Sequence, residues 1–236
     1  LPQRLEAKLI NAMNTVSVLR PLCTEVTTSG DSALPIVNGH GKAAWVPEGH
    51  PIPMVKDAFD RVNLDSHKLA AIIRVTSELL KDSAVDIETY LAAIFADRLA
   101  VSEEEAFIAG DGADKPLGLI HQADVGAESE LEGEITIDDM ANLEFSLRRP
   151  YRENAVWLIS EEAYGRLRCI RQYNGRLLWN ENLQEDEPQK LFGHQIYVCK
   201  ALDKVAPGSI PVMFGDFRYY WIGDRGKRVM KRLVER

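Results

Sequence analysis

Residue types that bind metal ions gather between positions 40 and 50 of the chain. His40, Glu48 and His50 carry imidazole and carboxylate groups, which zinc accepts as ligands in proteins. They lie in a segment rich in glycine and proline, and such a loop does not hold ligands at a fixed separation as two helix positions four residues apart do. We therefore interpret the three as surface loop residues and predict no metal site.

A pattern related to nucleotide-binding motifs lies in the same segment. Residues 39 to 44, GHGKAA, fit G-x-G-x-x-A and follow a short predicted strand. A dinucleotide site needs a helix at this point, because the helix N-terminus faces the pyrophosphate. Pro47, Pro51 and Pro53 exclude that helix. Gly41-Lys42 also lacks the earlier glycine and the following Ser or Thr of a phosphate-binding loop, so the sequence predicts no cofactor.

The sequence lacks the other catalytic patterns. Cys23, Cys169 and Cys199 are odd in number and far apart, unlike a disulfide framework or a zinc cluster. There is no G-x-S-x-G motif, and no pair of carboxylates is spaced as if held across a cleft. The segment from Asp111 to Asp114 is too short for a calcium loop. We therefore predict that the protein is not an enzyme and has a scaffold or assembly role.

The charge is unevenly distributed along a chain of ordinary globular composition. The 236 residues include 28 Lys+Arg and 36 Asp+Glu, a net charge of -8. Ten acids and two bases lie between residues 78 and 114, whereas seven bases and two acids lie between 218 and 236. This distribution argues against a protein dedicated to duplex DNA and permits ion pairing between copies or with another acidic element. No apolar stretch approaches the ~18 residues that a membrane span needs.

The N-terminal third alternates short apolar segments with loops. Leu5, Leu9 and Met13 are four residues apart and predict an amphipathic helix over residues 3 to 14. Residues 16 to 28 are β-branched and interrupted by Pro21, which is typical of an extended arm or edge strand. A strand is also predicted over residues 33 to 37. The strand predicted from residue 59 to 76 ends in LAAIIRV, so we expect it to leave solvent and enter a core.

The strongest local signal predicts a helix over residues 84 to 109, which is about 39 Å long at 1.5 Å per residue. Asp82 or Ser83 is its predicted cap, and Gly110-Asp111-Gly112 is its predicted end. Its predicted core face is an apolar stripe of Ile87, Tyr90, Leu91, Ile94, Phe95 and Leu99. On the opposite face, Ala93, Ala96 and Ala100 either admit a closely packed neighbour or are exposed residues suited to helix formation.

The C-terminal half mixes helices and strands. Thr136 is the predicted cap of a helix over residues 137 to 149, and Ser160 caps a helix that reaches about residue 171. Strands are predicted over residues 155 to 159, 191 to 200 and 210 to 222, with a bulge at Gly215-Asp216. Because strands and helices do not alternate regularly, the fold class is α+β and not a doubly wound sheet.

Seven segments, in their order along the chain, resemble the major capsid proteins of tailed phages with the HK97-type fold. They are AWVPEG (44 to 49), HKLAAIIRVTSELLKD (67 to 82), EEEAFIAGDGADKPLGLI (103 to 120), NAVWLIS (154 to 160), GRLLW (175 to 179), KLFGHQIYV (190 to 198) and FGDFRYYWIGDR (214 to 225). Each segment alone is weakly informative, but seven in order cover nearly the whole chain and are specific.

The resemblance implies a division of the chain into five parts. Residues 1–32 are the expected N-terminal arm, and residues 33–70 form the region of the extended E-loop hairpin. Residues 71–118 are the expected peripheral domain with its long spine helix. Residues 119–217 are the expected axial domain, and residues 218–236 begin the return to the peripheral domain.

The resemblance also implies a function. The protein is expected to be a phage or prophage major capsid protein that self-assembles as pentamers and hexamers into an icosahedral shell enclosing the genome. Implied partners are further copies, a scaffolding segment or maturation protease, the portal protein, and packaged DNA held on the inner surface without sequence specificity. The expected location is the virion and, before assembly, the bacterial host cytoplasm. An encapsulin-like nanocompartment shell and, more distantly, an acidic α+β hydrolase are the alternatives.

The candidate site residues are therefore assembly and core contacts. Trp45 and Phe59 are predicted to anchor the E-loop, and Ile94, Phe95 and Leu99 to form the core of the spine helix. Arg98 lies on the same stripe and is predicted to pair with an acid from another element.

The first residue of the chain and two of its lysines bear on processing and cross-linking. The chain begins with Leu1 and not with Met, which fits removal of an upstream scaffolding segment. Some capsid proteins of this type form Lys–Asn isopeptide cross-links, but Lys42 and Lys56 match no clear motif, so we predict none.

Overall fold

The computed structural model describes residues 9, 12–13, 15–28, 32–39, 45–49, 58–75, 87–170, 189–226 and 228. The chain forms two compact units, one of Leu1–Glu25, His67–Ile222 and Arg228–Arg236, the other of Val26–Ser66 and Gly223–Lys227. Within the described ranges, no helix combines the length and apolar character that crossing a membrane requires. The same ranges contain no group of three or more His, Cys, Asp or Glu residues that could hold a metal ion; His40 and His50 lie outside them.

The elements with described bounds are mixed along the chain, as the α+β prediction requires. They are β1 (Thr24–Thr28), β2 (Ser32–Gly39), β3 (Ala58–Leu64), α1 (Ile87–Ala109), α2 (Ile137–Ser146), α3 (Arg149–Arg152), β4 (Val156–Ile159), α4 (Glu161–Cys169), β5 (Lys190–Leu191), β6 (His194–Val198), β7 (Val212–Gly215) and β8 (Trp221–Arg225). Single 3-10 turns lie at Arg20–Leu22, Leu119–His121 and Phe217–Tyr219.

The first unit contains a four-stranded sheet of order β5-β6-β4-β7. β4 runs parallel to β6 and antiparallel to β7, which confirms the buried strand predicted at residues 155 to 159. Trp157 of β4 is fully buried, and its indole N–H donates to the Leu191 carbonyl at 3.0 Å. Met140 of α2 and Leu167 of α4 pack in the same apolar cluster, so both helices cover this sheet.

The predicted starts of α2 and α4 are confirmed, but the predicted end of α2 is wrong. Thr136 forms a capping box with Asp139, and the Ser160 hydroxyl accepts the Ala163 N–H. α2 ends at Ser146 and not at residue 149. Pro150 has no N–H to donate and its ring collides with the preceding turn of a continuous helix, so it lies instead in the first turn of α3.

Two predicted C-terminal strands are each divided in the structure. The strand predicted over residues 191 to 200 is a hairpin of β5 and β6, because Phe192 and Gly193 have φ of 51° and 86° and form a tight two-residue turn. The bulge predicted at Gly215-Asp216 is wrong. β7 ends at Gly215, and the Asp216 side chain accepts the Arg218 N–H at 3.2 Å to start a 3-10 turn.

Helix α1 runs from Ile87 to Ala109, which confirms the predicted long helix over these residues. Its predicted cap at residue 82 or 83 lies outside the described residues. Five of its positions, spaced by four, are no more than 8% exposed: Ala92, Ala96, Ala100, Glu104 and Ile108. Phe107, next to Ile108, is also buried. Tyr90 of the predicted core stripe is 60% exposed. The helix therefore buries its alanine side most completely.

Helix α1 ends where Gly110 and Gly118 pack closely against neighbouring backbone. A Cβ on Gly110 would lie 2.0 Å from the Pro116 carbonyl oxygen, and one on Gly118 would lie 2.6 Å from the Gly110 nitrogen. The Gly118 N–H donates to the Gly110 carbonyl at 2.9 Å. The predicted end at Gly110 is thus confirmed, with close approach as the reason, while the left-handed residue is Gly112 at φ 77°.

The second unit contains an antiparallel hairpin of β2 and β3. Their register runs from Ser32 opposite Leu64 to Gly39 opposite Ala58, with an irregularity between Val37 and Gly39. The strand predicted over residues 33 to 37 is confirmed within β2. The long strand predicted from residue 59 to 76 ends at Leu64. Its expected entry into a core is wrong, since Leu69 and Ile72 are 48% and 77% exposed.

Candidate functional site

The N-terminal segment of the chain lies on the alanine side of α1. Leu9 and Met13 are helical and buried, which confirms the predicted amphipathic helix where the structure describes it. They form one apolar cluster with Ala96 and Ala100. Because alanine has only a methyl group, the two helices approach closely. Of the two interpretations of the alanine face, the structure supports a closely packed neighbour at Ala96 and Ala100, whereas Ala93 is exposed.

A buried arginine continues this contact beyond the end of the N-terminal helix. The Ser17 N–H donates to the Met13 carbonyl at 2.9 Å, and a 3-10 turn begins at Arg20. The Arg20 side chain is only 3% exposed. Its Nε donates to Glu103 Oε2 at 2.9 Å, and its Nη1 to Glu25 Oε1 at 3.1 Å. A cation out of water requires such partners, so Arg20 connects the N-terminal segment to α1.

Besides its two carboxylates, the Arg20 guanidinium contacts an aromatic ring, and Glu103 has a second cationic neighbour in Arg228. The guanidinium carbon lies 5.7 Å from the centroid of the Phe107 ring, within the range of a cation–π contact. Arg228 Nη2 lies 3.8 Å from Glu103 Oε1. One residue of the basic C-terminal stretch thus pairs with the acidic helix, as the charge distribution permitted.

Glu104, the next residue of α1, is buried on the same side. Its Oε1 accepts the Val18 N–H at 3.1 Å and lies 3.6 Å from the Cys199 sulfur. Desolvation by burial raises the pKa of this carboxyl, although the hydrogen bonds from Val18, Cys199 and Leu19 oppose the shift. Glu104 therefore satisfies backbone donors of the N-terminal segment that would otherwise be buried without partners.

The thiols of Cys23 and Cys199 are protonated at neutral pH. Burial, and then the charge of Glu104, raises the pKa of the Cys199 thiol to about 12. Burial, and then Glu25, raises the pKa of Cys23 to about 12 as well. Because the thiolate is the reactive form, neither residue is placed as a nucleophile, and Cys199 acts as a neutral donor to Glu104.

We call this set the arm junction: Arg20, Glu25, Glu103, Glu104, Cys199 and Arg228. Sequence reasoning missed it. One signal was available for Glu104, because it continues the spacing of Ala96 and Ala100 and so lies on the same helix side. No comparable signal identifies Arg20 and Glu103, which are 83 residues apart in the chain.

None of the residues predicted as assembly contacts belongs to the arm junction. Trp45 is 103% exposed. The Phe59 backbone pairs with Val37, and its side chain lies outside the described residues. Phe95 and Leu99 are half-buried at the edge of the cluster of Leu9 and Met13, and Ile94 is half-buried. Their roles in assembly stay predictions.

Arg98 lines an open groove of 430 Å³ on α1. Its neighbours there include Leu69 and Glu105. The Arg98 side chain is exposed and forms no ion pair among the described residues. The acid predicted to pair with it therefore does not come from the described part of this chain.

Comparisons with known proteins agree with one another. A model of the phage capsid family matches residues 1–236. The major capsid protein of Escherichia phage T5 is 32% identical over 108 residues, which are 41% of this chain and 24% of that protein. This chain thus matches about a quarter of the curated relative's length.

Solved structures extend the similarity to nearly the whole chain. The capsid of a native GTA particle, computed with C5 symmetry, has a TM-score of 0.78 at 29% identity, covering 90% of this chain and 78% of that one. The corresponding empty particle has a TM-score of 0.79 at 28% identity, covering 91% and 78%. A structure from Mycobacterium phage Cain has a TM-score of 0.64 at 19% identity, covering 89% and 71%, and this match bears on the fold alone.

Proposed function

The chain belongs to the phage capsid family, and we propose that it is a major capsid subunit that assembles with further copies into a closed shell around a phage genome. Membership confirms the resemblance seen in the sequence, and the solved relatives confirm an α+β fold of the HK97 type. The observation that carries the proposal is the match of 90% of the chain to a capsid computed with C5 symmetry.

The role we propose is structural and not enzymatic. In the arm junction, Arg20 pairs with Glu25 and Glu103, and the pKa values of Cys23 and Cys199 are both about 12. These ion pairs hold elements together, and neither thiol is in the reactive thiolate form at neutral pH.

The finer parts of the proposal follow the family. We propose assembly as pentamers and hexamers, with residues 1–32 as an N-terminal arm, 33–70 as the E-loop region, 71–118 as the peripheral domain with α1 as spine helix, and 119–217 as the axial domain. Residues 218–236 would begin the return to the peripheral domain. The β2–β3 hairpin and the packing of Leu9 and Met13 on α1 support the first three assignments.

The proposed partners and locations extend beyond the chain itself. We propose that the assembled shell contacts the portal protein and holds packaged DNA on its inner surface without sequence specificity. A scaffolding segment or maturation protease would act before or during assembly. The subunit would occupy the host cytoplasm first and the virion afterwards.

The arm junction gives this function a physical basis. A subunit that meets many neighbours needs its N-terminal segment in one conformation, since ordering it during assembly would weaken every contact. Arg20 donates a hydrogen bond to Glu103, and Glu104 accepts one from the Val18 N–H. These two bonds fix residues 18 to 20 on α1. We propose that the junction presents the arm in a constant direction to the next subunit.

Electron microscopy of the expressed protein tests the function. We expect closed particles tens of nanometres across from the wild-type chain with its full natural sequence. DNA inside particles produced during phage growth supports the capsid role, whereas enclosed host enzymes would indicate a nanocompartment. A product that stays monomeric at every protein and salt concentration would contradict the proposal.

A further inference from the structure

Opposite charges occupy two adjacent stretches of the first unit. Between residues 122 and 147 the sequence contains eight acids and no base, and the next five residues, RRPYR, contain three arginines. We call residues 122–134 the acidic loop; its acids, all exposed, are Asp124, Glu128, Glu130, Glu132 and Glu134. None of them forms an ion pair with another described residue, so their charge is available to a partner.

Arg148 lies beside a pair of tyrosine rings, one half-buried and one exposed. The Arg148 guanidinium is 5.5 Å from the centroid of the Tyr151 ring, and Tyr151 packs edge-on against Tyr219 with ring centroids 5.2 Å apart. Arg148 and Arg149 are exposed, and Tyr219 is 69% exposed. We call Arg148, Arg149, Tyr151 and Tyr219 the arginine–tyrosine surface. Arginine and tyrosine are the types enriched in interface cores, and stacking orders a guanidinium before it binds.

The acidic loop is held in a defined shape. Arg166 Nη1 donates to the Gly133 carbonyl at 2.5 Å, and the Ser129 hydroxyl donates to the Glu134 carbonyl at 2.9 Å. A Cβ on Gly126 would lie 2.4 Å from the Ser146 hydroxyl, so the loop lies directly against α2. A loop ordered in this way loses little conformational freedom on binding.

Exposed apolar side chains lie in the acidic loop and at the end of α2, next to Arg152. Val125 and Leu131 in the acidic loop are 74% and 54% exposed. Phe145, at the end of α2, is 70% exposed and lies 4.9 Å from the Arg152 guanidinium. An apolar centre with a charged rim is the usual composition of a protein–protein interface.

We propose that the arginine–tyrosine surface of one copy binds the acidic loop of a second copy in the assembled shell. The inference rests on the proposed function, because a ring of identical subunits joined head to tail needs two different, complementary surfaces on each chain. These two surfaces have opposite charge, exposed apolar or aromatic side chains, and no ion pairs in the described part of the chain. DNA is the competing occupant of the arginines, but it would leave exposed Val125 and Leu131 uncovered and would be repelled by the acidic loop.

Charge reversal on each side, and on both together, tests the proposal. One variant combines Arg148→Glu with Arg149→Glu, a second combines Glu130→Lys with Glu132→Lys, and a third contains all four changes. A control, Lys200→Glu with Lys204→Glu, changes the net charge as the first variant does at exposed positions elsewhere in the unit. The thermal midpoint of unassembled subunits verifies folding, and sedimentation measures the assembled fraction.

We expect each double variant to lower the assembled fraction at least about tenfold at moderate salt, because like charges then face each other. The fourfold variant should recover most of the loss, and the control should assemble like wild type. Shells from either double variant at wild-type yield, or no recovery in the fourfold variant, would overturn the proposal. Normal shells that retain less DNA would assign the arginines to nucleic acid instead. Failure of the wild-type chain to assemble would contradict the proposed function, and this inference with it.

Discussion

Replacing Arg20 by methionine removes the buried cation that joins the N-terminal segment to α1. The Arg20 side chain is 3% exposed, whereas Glu103 is 18% and Glu25 45% exposed. Without the guanidinium, Glu103 keeps only Arg228 at 3.8 Å as a described cationic neighbour. Methionine has a similar length and no charge, so the substitution tests the charge more than the packing.

The expected magnitude lies between those of buried and exposed ion pairs. Removing one partner of a buried pair costs ~3–5 kcal/mol, whereas exposed pairs contribute ~0.2–1 kcal/mol. Because both carboxylates retain some solvent, we expect a loss near the lower end of the buried range, about 3 kcal/mol in the free energy of unfolding. For a chain of this length that loss corresponds to about 6–12 °C in the thermal midpoint.

Urea and thermal denaturation of the unassembled subunit, followed by circular dichroism, measure this loss. A double-mutant cycle with Glu103→Gln separates the pair interaction from the cost of each change alone. The matched control is Arg149→Met, an exposed arginine whose replacement should change the unfolding free energy by less than about 0.5 kcal/mol. A coupling energy below about 0.5 kcal/mol between Arg20 and Glu103 would refute the argument that this pair holds the junction.

Three further predictions address the carboxyl group of Glu104, the glycine contact and the thiols. The pKa of Glu104 is raised above its ordinary value of 4.5, so the folded state binds the proton of this carboxyl more tightly than the unfolded state does. The free energy of unfolding should therefore fall as pH rises from 4.5 through the raised pKa. Urea denaturation at several pH values should show a weaker pH dependence of that free energy for Glu104→Gln than for the wild type. Gly110→Ala should destabilise the protein by at least ~1–3 kcal/mol, because its Cβ would overlap the Pro116 carbonyl. At Gly165, in the middle of α4, an added Cβ would meet no other described atom within 4 Å beyond the neighbouring residues and backbone of its own helix, so Gly165→Ala should instead stabilise the protein by ~0.5–1 kcal/mol. Equal effects at the two glycines would contradict the packing argument. Of the described thiols, Cys169 is exposed, so a thiol reagent at neutral pH should modify one cysteine rapidly and Cys169→Ser should abolish that reaction; rapid labelling of Cys199 would show that the junction opens.

Elements whose bonds are local were predicted well. The capping residues Thr136 and Ser160 accept N–H groups three residues away, so the sequence contains both partners of each bond. The hairpin strand from residue 33 to 37 follows from an equally local preference.

Predictions failed where packing at a distance decides the outcome. The apolar run after Leu64 was expected in a core, yet the strand stops there and Ile72 is 77% exposed. An apolar pattern predicts that a surface is to be covered but does not identify what covers it. The divided strands at Phe192 and Asp216 depended on backbone angles that the residue types only weakly favour.

The sequence by itself determined the α+β class, the long helix, the caps of α2 and α4, and the capsid family, because each depends on order, spacing and residue type. Only the tertiary structure determined which side of α1 is buried and which charges meet. Arg20 and Glu103 are 83 residues apart, and Val18 and Glu104 are 86 apart. An ion pair's energy depends on distance and burial, which a linear pattern does not contain, so the arm junction becomes visible only after the chain has folded.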